Sequence, residues 1–292
     1  MINPNRPRPR RSALFMPASN PRAIEKARSL PCDVVILDLE DAVAPDAKAA
    51  ARAAAVEAVN AGGFGTRELV VRVNALDTAW GADDLAALSQ TGVDAVLAPK
   101  VDSAEDVARF NAHLTGAHQG LALWAMIETC TAMLSLREIA ASAATSRLGA
   151  FVVGTNDLAK EMRAERTPCR TPFLPFFSLT VAAARAHGLA VLDAVCNDFR
   201  DLDAFEAEAR QGRMFGFDGK SLIHPAQIAP ANAVFGPSPE RIAQAQAILA
   251  AFALPENAGK GAVDIDGQMV ERLHLEEAQA LLAMAERISA TD

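Results

Sequence analysis

Short runs of apolar, often β-branched residues recur along the chain, with longer segments of helical spacing between them. The runs are SALFMP (12–17), DVVILDL (33–39), ELVVRVN (68–74), VDAVLAPK (93–100), LALWAMIE (121–128), LGAFVVG (148–154), LAVLDAV (189–195) and a last one near SLIHP (221–225). They are apolar on both faces, the pattern of parallel strands covered by helices, not of half-exposed strands. Alanine-rich amphipathic segments separate them, among them DAKAAARAAAVEAVNA from Asp46, SAEDVARFNAHL from Ser103 and FFSLTVAAARAHG from Phe176. Ser103 followed by Asp106 predicts an acidic variant of the capping box. Eight strand-then-helix units within residues 11–236 predict a (β/α)8 TIM barrel, with an open doubly wound sheet as the alternative. From residue 237 to 292 the pattern changes to a helix (PERIAQAQAILAAF), a glycine-punctuated stretch (ENAGKGAVDIDGQ) and a final helix from about Leu273. This predicts a helical appendage with a flexible middle, suited to act as a lid.

With 292 residues, 51% hydrophobic, the chain is long enough for one large domain or two small ones. No long apolar run is free of charge, and the N-terminal MINPNRPRPRRS has no apolar core. Neither a membrane span nor a secretory signal is therefore expected, and the expected compartment is the cytoplasm. Cys32, Cys130, Cys169 and Cys196 show no C-x-x-C spacing and read as reduced thiols. A net charge of −8 argues against general nucleic-acid affinity. Arg6, Arg8, Arg10 and Arg11 form a basic arm whose expected state is a solvated, proline-stiffened tail.

A barrel of this kind gathers its chemistry at the C-terminal ends of the strands. There the sequence places Asp38, Glu40 and Asp41 after strand two, Arg72 and Asn74 after strand three, Lys100 after strand four and Glu128 after strand five. Asn156 and Asp157 follow strand six, Asp193, Asn197 and Asp198 follow strand seven, and His224 follows strand eight. Two cations thus face an excess of carboxylates, which calls for a divalent metal. Without a cysteine cluster or an H-E-x-x-H motif, the donor set suits Mg2+ or Mn2+ and not Zn2+. Mg2+ keeps several waters, so Glu128 and Asp157 suffice as direct ligands, with Asp38, Glu40 and Asp41 accepting from metal-bound waters. The competing reading makes these carboxylates helix caps or ion-pair partners. Arg72 offers a planar fork to a substrate carboxylate and Lys100 a point charge to an oxyanion, or both serve structural salt bridges. His224 is expected to shape a loop, Cys130 to be a packed side chain, and Trp124 to be barrel wall within reach of substrate.

RSALFMPASNPRAIEKA, VVILDLEDAVAPDAKAAAR, VVRVN, VLAPK, MIET, GTNDLA and GFDGKSLIHPAQI, in this order, resemble the citrate lyase β-subunit-like enzymes of the HpcH/HpaI aldolase superfamily, which include malyl-CoA, β-methylmalyl-CoA and citramalyl-CoA lyases. The resemblance implies a TIM barrel, Mg2+, a homo-oligomer (trimer or hexamer), and reversible cleavage of a 3-hydroxyacyl-CoA thioester into acetyl-CoA or propionyl-CoA and a 2-oxo acid. By motif position, it implies Glu128 and Asp157 as metal ligands, Arg72 on the oxo-acid carboxylate and Asp41 beside the metal waters. It also implies that Phe15, Arg22, Pro225 and Gln227 approach coenzyme A, with Lys26 and Lys220 as further candidates for its phosphates or else solvated. An acidic residue from the C-terminal segment completes the site in such enzymes, and DGQMVERLH offers Glu271 where Asp is usual. Asn20 and Ala132 are further departures, standing where Arg and Gly are common. Rival readings are a class II pyruvate aldolase, a citrate lyase β subunit acting only on a carrier-protein thioester, and a paralogue without turnover.

Overall fold

The computed structural model describes residues 8–265 and 267–290. Eight parallel strands, β1 (Ser12–Pro17), β2 (Val34–Asp38), β3 (Glu68–Arg72), β4 (Ala95–Ala98), β5 (Ala122–Ile127), β6 (Leu148–Val153), β7 (Ala190–Asp193) and β8 (Gly219–Leu222), pair in sequence order. The sheet closes through β1 and β8, with Ala13 beside Ser221. It is the expected TIM barrel and not an open sheet.

Strand parity divides the apolar residues into two layers. Ala13, Val34, Ile36, Val70, Leu97, Trp124, Met126, Val152 and Leu192 face inward and fill the barrel. Leu14, Val35, Leu37, Val71, Val96 and Phe151 face outward against the helices. Trp124 is therefore interior filling, with the Arg10 guanidinium 5.0 Å from its ring centroid.

The basic arm is not a solvated tail where it is described. Arg10 clamps Glu68 at 2.6 and 2.8 Å, and Arg11 holds Asp33 at 2.8 and 2.9 Å, so both dock against the N-terminal ends of the strands. Arg6 lies outside the described residues.

The last strand begins earlier than the apolar pattern predicts. A Cβ at Gly219 would lie 1.8 Å from the Arg10 carbonyl oxygen, so only glycine lets this strand close on the chain before β1. His224 and Pro225 fall beyond it, because proline cannot donate to a ladder. They form a 3-10 turn instead, in which His224 Nδ1 accepts from Ala226 N–H. Helix Ala104–His113 is capped by Ser103 as expected. Asp106, however, accepts from Asp102 N–H and the Ser103 hydroxyl, one residue off the usual reciprocal bond. Helix Leu174–Ala186 starts before Phe176, with Pro175 in its first turn.

The described residues group into two compact units, Arg10–Phe235 and a segment beginning at Gly236. In the latter, helices Pro239–Ala253 and Arg272–Ser289 pack on each other. The expected flexible middle is instead an antiparallel hairpin of β9 (Ala262–Ile265) and β10 (Gln268–Glu271), with Asp264 accepting from Gly267 N–H at its turn. Among the described residues no helix is long and apolar enough to cross a membrane.

Candidate active site

At the C-terminal end of the barrel lies a cavity of about 380 Å³, and Phe15, Asp38, Asp41, Arg72, Glu128 and Asp157 all line it. Inward parity brings Asp38 and Arg72 there, one step beyond Ile36 and Val70.

The opening motif LDLEDA folds back on itself. Asp38 accepts from Glu40 N–H at 2.9 Å and Ala42 N–H at 3.1 Å, and receives a bidentate grip from Arg72 at 2.7 and 2.6 Å. Its oxygens are thus committed to protein donors. Asp38 is an anchor for Arg72, which corrects its expected role on metal waters. Burial opposes the charge of Arg72, but the Asp38 bonds and neighbouring carboxylates outweigh it and hold the guanidinium pKa above its ordinary value. Phe15 lies against the same guanidinium, 5.1 Å from its centre.

Glu40 is buried. Its Oε2 lies 2.9 Å from Arg72 Nη1, close enough for charge pairing, yet no donor is aligned to hydrogen-bond it. Burial raises its pKa, with Arg72 opposing. Asp41 is exposed and lies 3.6 Å from the same Arg72 nitrogen. Lys48 steadies this turn from below, donating at 2.7 Å to the carbonyls of Leu39 and Glu40 and to Asn74. Asn74 also bonds Asp84, so it belongs to this buried bracket and not to the cavity, contrary to the strand-end expectation.

Glu128 is 2% exposed and accepts from Lys100 N–H at 2.9 Å. Lys100 can aim that N–H because its φ is +49°, a left-handed conformation that costs a lysine about 1 kcal/mol. Its side chain is half exposed, 3.5 Å from Glu40 and outside the cavity lining. The backbone of Lys100 thus meets the site more directly than the predicted ammonium. Burial, then the Glu40 charge, pushes the Glu128 carboxyl up to about 8, against the pull of Lys100 N–H and Arg72; Asp157 adds to the rise. A Cβ at Gly154 would sit 2.6 Å from both Glu128 Cβ and Oε2, so glycine is what admits this carboxylate. Asp157 stands in the first turn of helix Thr155–Met162, where the helix end favours an anion.

Other expected residues lie elsewhere. Gln227 is fully buried, its oxygen accepting from Ile223 and His224 N–H and its nitrogen donating to the Cys196 carbonyl. It braces the turn. Pro225 opens that turn, and Arg22 is exposed on helix Pro21–Ala27, which Asn20 caps through Ala23 N–H. Neither lines the cavity. His224 stacks on Phe199 at 4.6 Å. Glu271 is exposed at the end of β10, with its N–H donated to His274 Nδ1. Asp193 faces outward with Val191, where Arg170 at 2.8 Å and Lys220 at 3.1 Å neutralise it. Lys220, fully buried, also holds Glu208 at 2.7 Å and is neither solvated nor a phosphate ligand.

Met126 and Ser221 are lining residues to which the sequence assigned no role. Both point inward by parity alone, and the Ser221 hydroxyl has no hydrogen-bond partner. Thr155 opens the helix that carries Asp157. At the rim, Asn156 and Asn197 exchange reciprocal amide bonds at 3.1 and 2.8 Å.

The residues fit a hard divalent cation. The cavity joins Glu128, just past β5, and Asp157, in the helix after β6, the first so desolvated that it favours a proton or a cation, beside a buried glutamate oxygen with no aligned donor. Among the described residues no three His, Cys, Asp or Glu side chains gather closely enough to enclose an ion by themselves. Mg2+ takes one or two carboxylates and fills its remaining positions with water or substrate.

Parallel strands closed into a barrel, with charged side chains converging at their C-terminal ends, define a TIM-barrel enzyme scaffold. Residues 11–225 match the HpcH/HpaI aldolase/citrate lyase family, and the chain belongs to it. A (3S)-malyl-CoA thioesterase of Cereibacter sphaeroides is 47% identical over 97% of this chain and 96% of its own. The L-malyl-CoA/β-methylmalyl-CoA lyase of Cereibacter sphaeroides is 37% identical over the same shares. Among solved structures, CitE of Mycobacterium tuberculosis in complex with magnesium, acetoacetate and coenzyme A is 33% identical and superposes with a TM-score of 0.75. That match covers 94% of this chain and 97% of the other.

Proposed function

We propose that this chain is a Mg2+-dependent carbon-carbon lyase, Mn2+ being an alternative metal, that cleaves a 3-hydroxyacyl-CoA such as malyl-CoA into acetyl-CoA or propionyl-CoA and a 2-oxo acid. The observation that carries this reading is the meeting of Glu128, Asp157 and the anchored Arg72 in the lining of one cavity. Relatives named for malyl-CoA support the thioester class. Glu128 and Asp157 would hold the metal, which when bound polarises substrate oxygens as a Lewis acid. Arg72, fixed through Asp38, grips the substrate carboxylate and aligns the breaking bond with the thioester carbonyl. The bond between the hydroxyl-bearing carbon and the thioester α-carbon breaks, and its electron pair passes into the thioester enolate. The hydroxyl proton leaves to the acidic wall, where Asp41 is the exposed carboxylate and Lys100 adds positive charge. The acid that gives a proton to the enolate carbon is assigned to Glu271; in condensation it takes one from the methyl group. A cytoplasmic homo-oligomer belongs to the same reading.

A second reading is hydrolysis of the thioester, favoured by the name of the 47% identical relative. One assay separates them. Purified protein is given malyl-, citramalyl- and β-methylmalyl-CoA with Mg2+ or EDTA, while 2-oxo acid and free thiol are followed together. Cleavage releases 2-oxo acid and no thiol; hydrolysis releases thiol and a hydroxy acid. If neither product forms with Mg2+ present, both readings fall.

A further inference from the structure

Ser221 is 1% exposed, lines the cavity, and its hydroxyl finds no hydrogen-bond partner. A buried hydroxyl without a partner is unusual in a folded protein, and one on a cavity wall marks where a ligand atom completes the bonding. Its surroundings narrow the choice of atom. The acids and Arg72 come from the ends of β2, β3, β5 and the helix after β6, whereas Ser221 comes from β8, whose neighbour across the closure is β1 with Phe15. Apart from Asn197 at the rim, the remaining lining on this side is apolar, including Val195 and Ile223. Anionic substrate oxygens belong to the charged wall. A neutral hydroxyl among apolar neighbours suits an oxygen that is neutral in the bound substrate and gains charge only as the bond breaks. Of the other neutral donors lining the cavity, Asn156 and Asn197 each spend one amide N–H on the other at the rim, and Thr155 opens the helix that carries Asp157, on the charged side.

We propose that Ser221 donates its hydroxyl hydrogen bond to the thioester carbonyl oxygen of the substrate, strengthening that bond as the oxygen becomes an enolate. The proposal rests on the lyase reading. It extends the site to β8, the strand opposite β4.

The test compares wild type, Ser221→Ala and Ser221→Cys with malyl-CoA and Mg2+, measuring kcat and KM, thermal unfolding, and the rise in Tm on adding Mg2+. The expected result is a kcat lower by about 10- to 100-fold in both variants with KM changed less than about threefold, since the bond matters most in the transition state. Neither Tm nor its Mg2+-induced rise should fall in Ser221→Ala, because the hydroxyl it removes bonds nothing in the protein. Wild-type kcat in Ser221→Ala overturns the proposal, as does a kcat loss accompanied by a lower Tm or a lost Mg2+ response, which would make Ser221 a packing residue. Wild-type protein inactive on every 3-hydroxyacyl thioester tried removes the lyase reading and this proposal together, whereas an active wild type matched by its variants removes the Ser221 role alone.

Discussion

Two ionic clusters of the same barrel, one behind its wall and one at its mouth, are built on opposite principles. Behind β7 and β8, Asp193 and Glu208 meet Arg170 and Lys220, charge for charge. Its cations are further engaged: Arg170 also bonds Gln211 and the Glu208 carbonyl, and Lys220 the Ala194 carbonyl. Asp193 titrates low despite the opposing effect of burial, because Lys220 and Arg170 stabilise its charge. At the mouth, carboxylates outnumber cations, Glu40 keeps an oxygen with no aligned donor, and Glu128 is pushed up to about 8. A balanced cluster consumes its own charge and locks helix Leu202–Phe215 to the barrel. An unbalanced one stores a demand that a ligand must meet.

The contrast can be broken most forcefully at Glu128. Glu128→Gln should lower turnover of the thioester at least about 10³-fold, while the metal-free protein stays folded. It also carries a pH signature. In EDTA the folded-state pKa of Glu128 lies above the ordinary value of 4.5, so its contribution to stability is complete below 4.5 and is lost as pH rises through about 8. Glutamine has no such titration, so the Tm of Glu128→Gln relative to wild type should climb between those limits. A flat difference would show that the carboxyl is not desolvated as described.

Lys220→Met tests the other half. Removing one member of a fully buried pair should cost about 3 kcal/mol of stability, read as a lower Tm, with kcat retained at temperatures where the variant is folded. A variant that lost turnover but not stability would erase the distinction between the clusters. Arg72→Lys keeps the charge but loses the fork on Asp38, and kcat/KM should fall about 100-fold. The smallest effect is expected from Gly154→Ala. Its new methyl group displaces Glu128, so the Mg2+ concentration for half-maximal activity should rise about tenfold with little change in saturated kcat. An unchanged Mg2+ requirement would separate Glu128 from the metal.

Much of this was legible without coordinates, and the reason is local. Strand-like runs apolar on both faces need helices on one side and a filled interior on the other, so eight of them foretell a closed barrel. MIET and GTNDLA place Glu128 and Asp157 just past strands, where side chains reach the mouth. The hairpin Ala262–Ile265 with Gln268–Glu271 was hidden because its glycines read as flexibility and its strands are short and largely exposed.

The chain's order of residues decided which strands would form and that acids would crowd their ends. Only the folded barrel decided which of those residues face the cavity. A strand presents alternate residues to opposite faces, so a shift of one position sends Asp193 and Lys220 outward and Ser221 inward, and the apolar runs here carry no alternation that announces the phase. Closure then chose partners across long separations. Arg72 reaches back to Asp38, and Lys48 to Asn74, because burial makes an unpaired charge too costly to leave.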